Sequence, residues 1–136
     1  MIDERLAEEH RNAALMRRLF DAFGRRDGAA LAGMFSHDVI WRVGGDTPMS
    51  GEYRGWRDVV LFLRGTTRET DGTYRSSLVW ALGGDGHAAA VYRARGTRQG
   101  RELDIDQLLL CEIRDDRIVT ATAIPFEADA FTRFWS

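Results

Sequence analysis

The sequence predicts an α+β fold, with N-terminal helices packed on a strongly curved, mainly antiparallel sheet that closes into a cone. Three observations carry this. Apolar residues recur every three to four positions through the first segment, at Leu6, Ala13, Met16, Phe20 and Phe23. From Thr73 onward the chain is β-rich and broken at short intervals by Gly-Gly-Asp-Gly, Gln-Gly and Asp-Asp turns. Helices come first and strands follow, a segregated order that argues against an alternating parallel sheet. A long helix laid across a bent sheet leaves an internal space suited to a small molecule.

The elements follow in order. A first helix is expected from Asp3 to Phe23, widened by Leu15 and Leu19 and ended by Gly24. Asp27 caps a short second helix, Gly28 to Phe35. Asp38 leads into a strand from Val39 to Val43, and Gly44 to Gly51 reads as a loop. The glycines of that loop do not make a phosphate loop, since no Gly-Lys-Ser/Thr follows. A third helix fits Trp56 to Arg64. Strands then span Thr73–Leu82, His87–Thr97, Arg101–Arg114 and Arg117–Ile124, the last stopped by Pro125. Glu127 to Ser136 fits a short closing helix.

Composition narrows the function. The 136 residues suit one domain, 1–136, with no repeat or linker. All 19 basic residues are arginine, so lysine Schiff-base chemistry is excluded. The net charge of −2 with interspersed signs gives no basic stripe, so nucleic acid is not an expected partner. The single cysteine, Cys111, lies among Leu108, Leu109, Leu110 and Ile113 and reads as a buried small hydrophobe. The first residues carry no signal-peptide core and no apolar run approaches a membrane span, so a cytoplasmic protein without a membrane partner is expected. His10, His37 and His87 share no ligand spacing, and no metal or cofactor is expected.

Several stretches resemble a known family when taken in order. They are Arg26-Asp27-Gly28-Ala29-Ala30-Leu31, Phe35-Ser36-His37-Asp38-Val39-Ile40-Trp41, Gly51-Glu52-Tyr53-Arg54-Gly55, Cys111 to Ile118, and the closing Phe134-Trp135. The order is similar to that of the SnoaL-like branch of the nuclear-transport-factor-2-like superfamily, which includes ketosteroid isomerases, limonene-epoxide hydrolases and polyketide cyclases. The resemblance implies a cofactor-independent isomerase, cyclase or hydrolase/hydratase. Its substrate would be a hydrophobic polyketide- or terpenoid-type molecule of secondary metabolism, and the chain would form a homodimer through the outer sheet face. The alternative is a non-catalytic ligand-binding or dimerisation domain of the same fold, because fold does not fix function.

The chain departs from its relatives where they keep their carboxylates. Leu19 and Val43 stand at the isomerase tyrosine and aspartate positions, and Trp41 and Val43 at the water-holding positions of the epoxide hydrolases. Arg93-Ala94-Arg95 takes the place of the hydrolase Arg-x-Asp pair, and Ala121 to Ala123 offers no last-strand acid. The second isomerase aspartate maps to Asp106, Gln107 or Leu109, depending on where a bulge falls.

Candidate catalytic residues are therefore Arg93, Arg95, Asp106 and Gln107. Arg93 and Arg95 share one face of a strand, and two buried guanidiniums there would stabilise developing negative charge. The competing reading is a solvated outer face. Without a bulge, Ile105, Gln107, Leu109 and Cys111 face inward; a one-residue bulge would bring Asp106 in instead. Candidate ligand-binding residues are Phe20, Phe23, Trp41, Trp56, Phe62, Tyr74, Ile105 and Leu109. Phe131, Phe134 and Trp135 would plug the open end of the cone or pack on a partner subunit.

Overall fold

A computed structural model describes residues 3–136. The chain runs α1 (Glu4–Arg25), α2 (Gly28–Met34), β1 (Phe35–Val43), β2 (Gly51–Arg54), α3 (Trp56–Arg68), β3 (Arg75–Gly83), β4 (His87–Arg98), β5 (Arg101–Arg114), β6 (Arg117–Pro125) and α4 (Ala128–Trp135). The six strands form one sheet in the order β2-β1-β6-β5-β4-β3, parallel only between β1 and β6. Helices on one face of a mostly antiparallel sheet make an α+β cone.

Local chemistry sets the helix ends. The Asp3 carboxylate accepts from the Arg5 amide at 2.9 Å, and Asp27 does the same for Ala30 at 3.0 Å. The first helix runs past Gly24 and stops at Arg26, whose φ of 53° lets its amide reach the carbonyls of Ala22 and Phe23. The third helix continues past Arg64 to Arg68. Its Thr66 hydroxyl donates to the Leu63 carbonyl at 2.7 Å, which satisfies a polar group inside the helix.

Two strands differ from the sequence expectation by more than two residues. The first strand starts at Phe35, because its N-terminal half pairs with β6 across a bulge between Phe35 and Ile40. Gly51–Arg54 is a strand rather than the end of a loop, paired antiparallel with β1 from Ile40↔Arg54 to Val43↔Gly51.

The long helix sits hard against the end of the hairpin. A Cβ placed on Gly83 would stand 1.8 Å from the Glu9 carbonyl oxygen, so only glycine allows this approach. The Asn12 amide then donates to the Gly84 carbonyl at 2.9 Å, tying α1 to the β3–β4 turn. The core lies between this helix and the concave sheet face, built from Met16, Leu19, Val39, Leu109, Ile118 and Phe134.

The inner face is set by an uninterrupted β4–β5 register, in which Tyr92 lies opposite Gln107, Arg93 opposite Asp106 and Arg95 opposite Asp104. Alternation then buries Leu103, Ile105, Gln107, Leu109 and Cys111. The only shift on β5 falls at Glu112/Ile113, in its pairing with β6, past the residues that matter for the cavity.

Candidate functional site

The concave face, α1, α3 and α4 enclose a cavity of about 870 Å³. This is within the size range of small-molecule sites. Phe20 and Phe23 contribute from α1, Trp41 and Val43 from β1, and Phe62 and Leu63 from α3. Tyr92, Gln107, Leu109 and Ala123 form the sheet wall. The C-terminal helix closes one side with Phe131 and Trp135. It is held there by Arg98, whose guanidinium donates to the backbone carbonyls of Phe134 at 3.2 Å and Ser136 at 3.0 Å.

The walls are aromatic and pre-packed. The Trp41 ring lies 5.9 Å from Phe62 and 6.4 Å from Phe23, and Trp56 stacks on Phe35 at 4.9 Å. Such surfaces present flat faces to a ligand. Trp56 and Tyr74 also line the cavity. Ile105 does not, and belongs to the packed core.

One polar cluster interrupts this apolar lining. The Gln107 amide donates from Nε2 to the Tyr92 hydroxyl at 2.7 Å, inside the protein. The amide oxygen, Oε1, has no partner, and neither does the indole N–H of Trp41. Turning the amide half a turn would exchange its ends and still leave one of them unused. Buried polar groups are nearly always paired, and an unpaired one costs about 1–3 kcal/mol. Two such groups on residues that line one cavity are open to pairing with a ligand or with water. Burial pushes the Tyr92 phenol well above its usual range, so Tyr92 keeps its proton and can donate it. Burial also raises the Tyr74 phenol.

The inward placement weighed for Arg93, Arg95 and Asp106 is overturned. Ala90, Tyr92 and Ala94 take the inner positions of β4, which sends the arginines out. The Arg93 and Arg95 side chains are 34% and 62% exposed. Both guanidiniums meet Asp104, at 2.8 and 2.9 Å, and Arg93 also meets Asp106 at 3.2 Å. They form a cross-strand charge ladder on the outer sheet face. Arg93 and Arg95 hold the Asp104 carboxyl below the usual carboxylate range. The bulge that would have brought Asp106 inward is absent from the β4–β5 pairing.

Other residues with reactive side chains stay outside the cavity. His10, His37 and His87 are exposed, and His37 and Asp38 lie on β1. Cys111 is sealed in the core, where burial pushes its thiol up to about 12. Among the described residues, no Asp, Glu, His or Cys lines the cavity. Sequence reasoning missed Tyr92 as a site residue. Its signal was the register itself, since Tyr92 must face inward wherever Gln107 opposite it does.

The curved sheet, the covering helices and the enclosed aromatic cavity define a cone fold of the nuclear-transport-factor-2-like type. The match of residues 16–121 to the SnoaL-like domain family places the chain in that family. Uncharacterized protein Rv0034 of Mycobacterium tuberculosis is 36% identical over 123 residues, spanning 90% of this chain and 94% of its own. The structure of Bal32a, from a soil-derived mobile gene cassette, superposes with a TM-score of 0.91 at 24% identity, covering 95% of this chain and 99% of that one. TerC, co-crystallized with polyporic acid, superposes at 0.79 with 17% identity, covering 91% and 97%. Among the described residues, no helix is long and apolar enough to cross a membrane.

Proposed function

We propose that the cavity binds a flat, hydrophobic, oxygenated small molecule of polyketide or terpenoid type, and promotes its isomerisation or cyclisation without a cofactor. The observation that carries this reading is the buried, unpaired Trp41 N–H and Gln107 amide end beside the Tyr92 hydroxyl. Small side-chain rotations turn these groups toward the cavity their residues line. Trp41 and Tyr92 then donate to a ligand carbonyl, and Gln107 accepts from a neighbouring hydroxyl. Donors fixed in a low-dielectric site stabilise charge that develops on that carbonyl oxygen. The help offered is electrophilic, because among the described residues no carboxylate or imidazole lines the cavity to act as base. Enolisation and water addition alike need a proton acceptor, which the ligand's own oxygens or solvent would supply. That TerC was crystallised with polyporic acid supports a ligand of this shape.

A second reading, binding without turnover, is favoured by the same lack of a base. A panel of aromatic polyketides, steroids and terpenoid epoxides separates the possibilities, read by thermal shift and by mass analysis of products. A ligand held at a hundred times its Kd adds about 2.7 kcal/mol of stability, a shift of several degrees. Conversion of a stabilising compound supports the enzyme, stabilisation without conversion supports the binding domain, and no shift with any compound overturns the cavity reading.

We also propose that two copies pair through the outer sheet face. A cross-strand row there runs from exposed Trp80 over buried Val91 and half-buried Leu108 to exposed Ile124, flanked by exposed Leu82, Leu110 and Phe126. An apolar patch of this kind marks an interaction surface. Light scattering should give twice the chain mass, and Trp80→Asp should halve it.

A further inference from the structure

Five of the residues lining the cavity are exposed: Arg26, Gly28, Arg64, Arg68 and Arg75. They mark where the cavity meets solvent, and four of the five carry a permanent positive charge. Arg26 and Arg75 converge on one acceptor, donating to the Gly72 carbonyl at 2.7 and 2.9 Å. Arg64 and Arg68 stand one turn apart on α3 and so share a side of the helix. Some arginines elsewhere are paired with acids, as Arg25 is with Asp21 and Asp27, and Arg42 with Glu52. Among the described residues, none of the four mouth arginines has a carboxylate within 4 Å, and no acid lines the cavity. Like charges gathered at an apolar cleft repel one another, and low-dielectric walls concentrate their field.

The geometry points to an amphipathic ligand whose ring system fills the cavity while an anionic oxygen group, a carboxylate or a phosphate monoester, sits among the mouth arginines. The inference rests on the proposed cavity binding and specifies the ligand further. Guanidinium forks suit both anions, since each offers two oxygens to parallel N–H donors. The apolar walls and the Trp41–Tyr92–Gln107 cluster would take the other end. Such a ligand is read at both ends, by charge outside and by hydrogen bonds within.

Three probes with one body test this: 4-(1-pyrenyl)butyric acid, 4-(1-pyrenyl)butanol and 4-(1-pyrenyl)butyl phosphate, titrated into the intact chain and followed by quenching of tryptophan emission. The acid or the phosphate should bind at least tenfold more tightly than the alcohol, and that preference should shrink as salt rises. Arg64→Ala combined with Arg68→Ala should cut the preference to about threefold or less and leave the melting temperature within a few degrees. A phosphate preferred over the acid assigns a phosphate monoester; an acid bound at least as tightly assigns a carboxylate. Equal binding of all three probes, or a preference untouched in the arginine variant, overturns the anionic mouth while the cavity reading stands. Failure of all three to bind overturns both.

Discussion

Replacing Tyr92 by Phe and Gln107 by Leu together should stabilise the empty protein. The pair makes one internal hydrogen bond, 2.7 Å long, between residues that are 5% and 3% exposed. Losing that bond costs about 0.5–1.5 kcal/mol. Removing the unpaired end of the Gln107 amide returns about 1–3 kcal/mol, and leucine fills nearly the same volume with apolar atoms. The balance is a gain of about 1 kcal/mol, or roughly 2–5 °C in melting temperature for a chain of this size. Tyr92→Phe alone should instead destabilise, because it strands the amide N–H that the hydroxyl accepted from. Urea unfolding followed by circular dichroism measures both variants. A double variant that loses 2 kcal/mol or more would show that the polar pair holds the fold together. A role for the pair in holding a ligand would then be refuted.

Other positions give independent checks. Gly83→Ala forces a methyl against the backbone of α1 and should cost about 3 kcal/mol, seen as a fall of roughly 10 °C in melting temperature; a change within 2 °C would contradict that close approach. Arg95→Ala removes an exposed outer-face ion pair, so stability should move by less than about 1 kcal/mol and ligand affinity should not change. A large loss of binding would restore the inward placement of that arginine. Cys111 should resist thiol reagents until the protein unfolds. Its thiol is raised in the fold from 9.0 to about 12, so the native state gains nothing from it below pH 9 and loses stability as pH climbs toward 12, by up to about 4 kcal/mol. Cys111→Ala should flatten that alkaline decline, and an unchanged slope would refute the assignment.

The fold was legible because its signals are local. The heptad-like spacing of Met16, Phe20 and Phe23 and the turns at Gln99-Gly100 and Asp115-Asp116, all four at positive φ, speak without tertiary help. The four-residue strand Gly51–Arg54 was hidden because it has no alternation of its own and exists through pairing with β1. The end of α3 was hidden because Gly65, Thr66 and Thr67 read as helix breakers, yet the Thr66 hydroxyl is satisfied within the helix. Of the site, the aromatic walls could be read from the chain, as could Gln107 under a bulge-free register. Arg93 and Arg95 misled because resemblance placed them inside while the alternation with Ala90, Tyr92 and Ala94 placed them outside; packing decided for the alternation. The arginine mouth was invisible, because Arg26, the Arg64–Arg68 pair and Arg75 come from three separated parts of the chain with no common motif.

The most direct test of the cavity reading is a crystal structure of the protein with a compound that raises its melting temperature. The expected result is a ring system between Phe23, Trp41 and Phe62, with ligand oxygens within about 2.7–3.2 Å of Trp41 Nε1 and of the Gln107 amide. A ligand bound on the outer sheet face, or one in the cavity that leaves both groups unpaired, would contradict it.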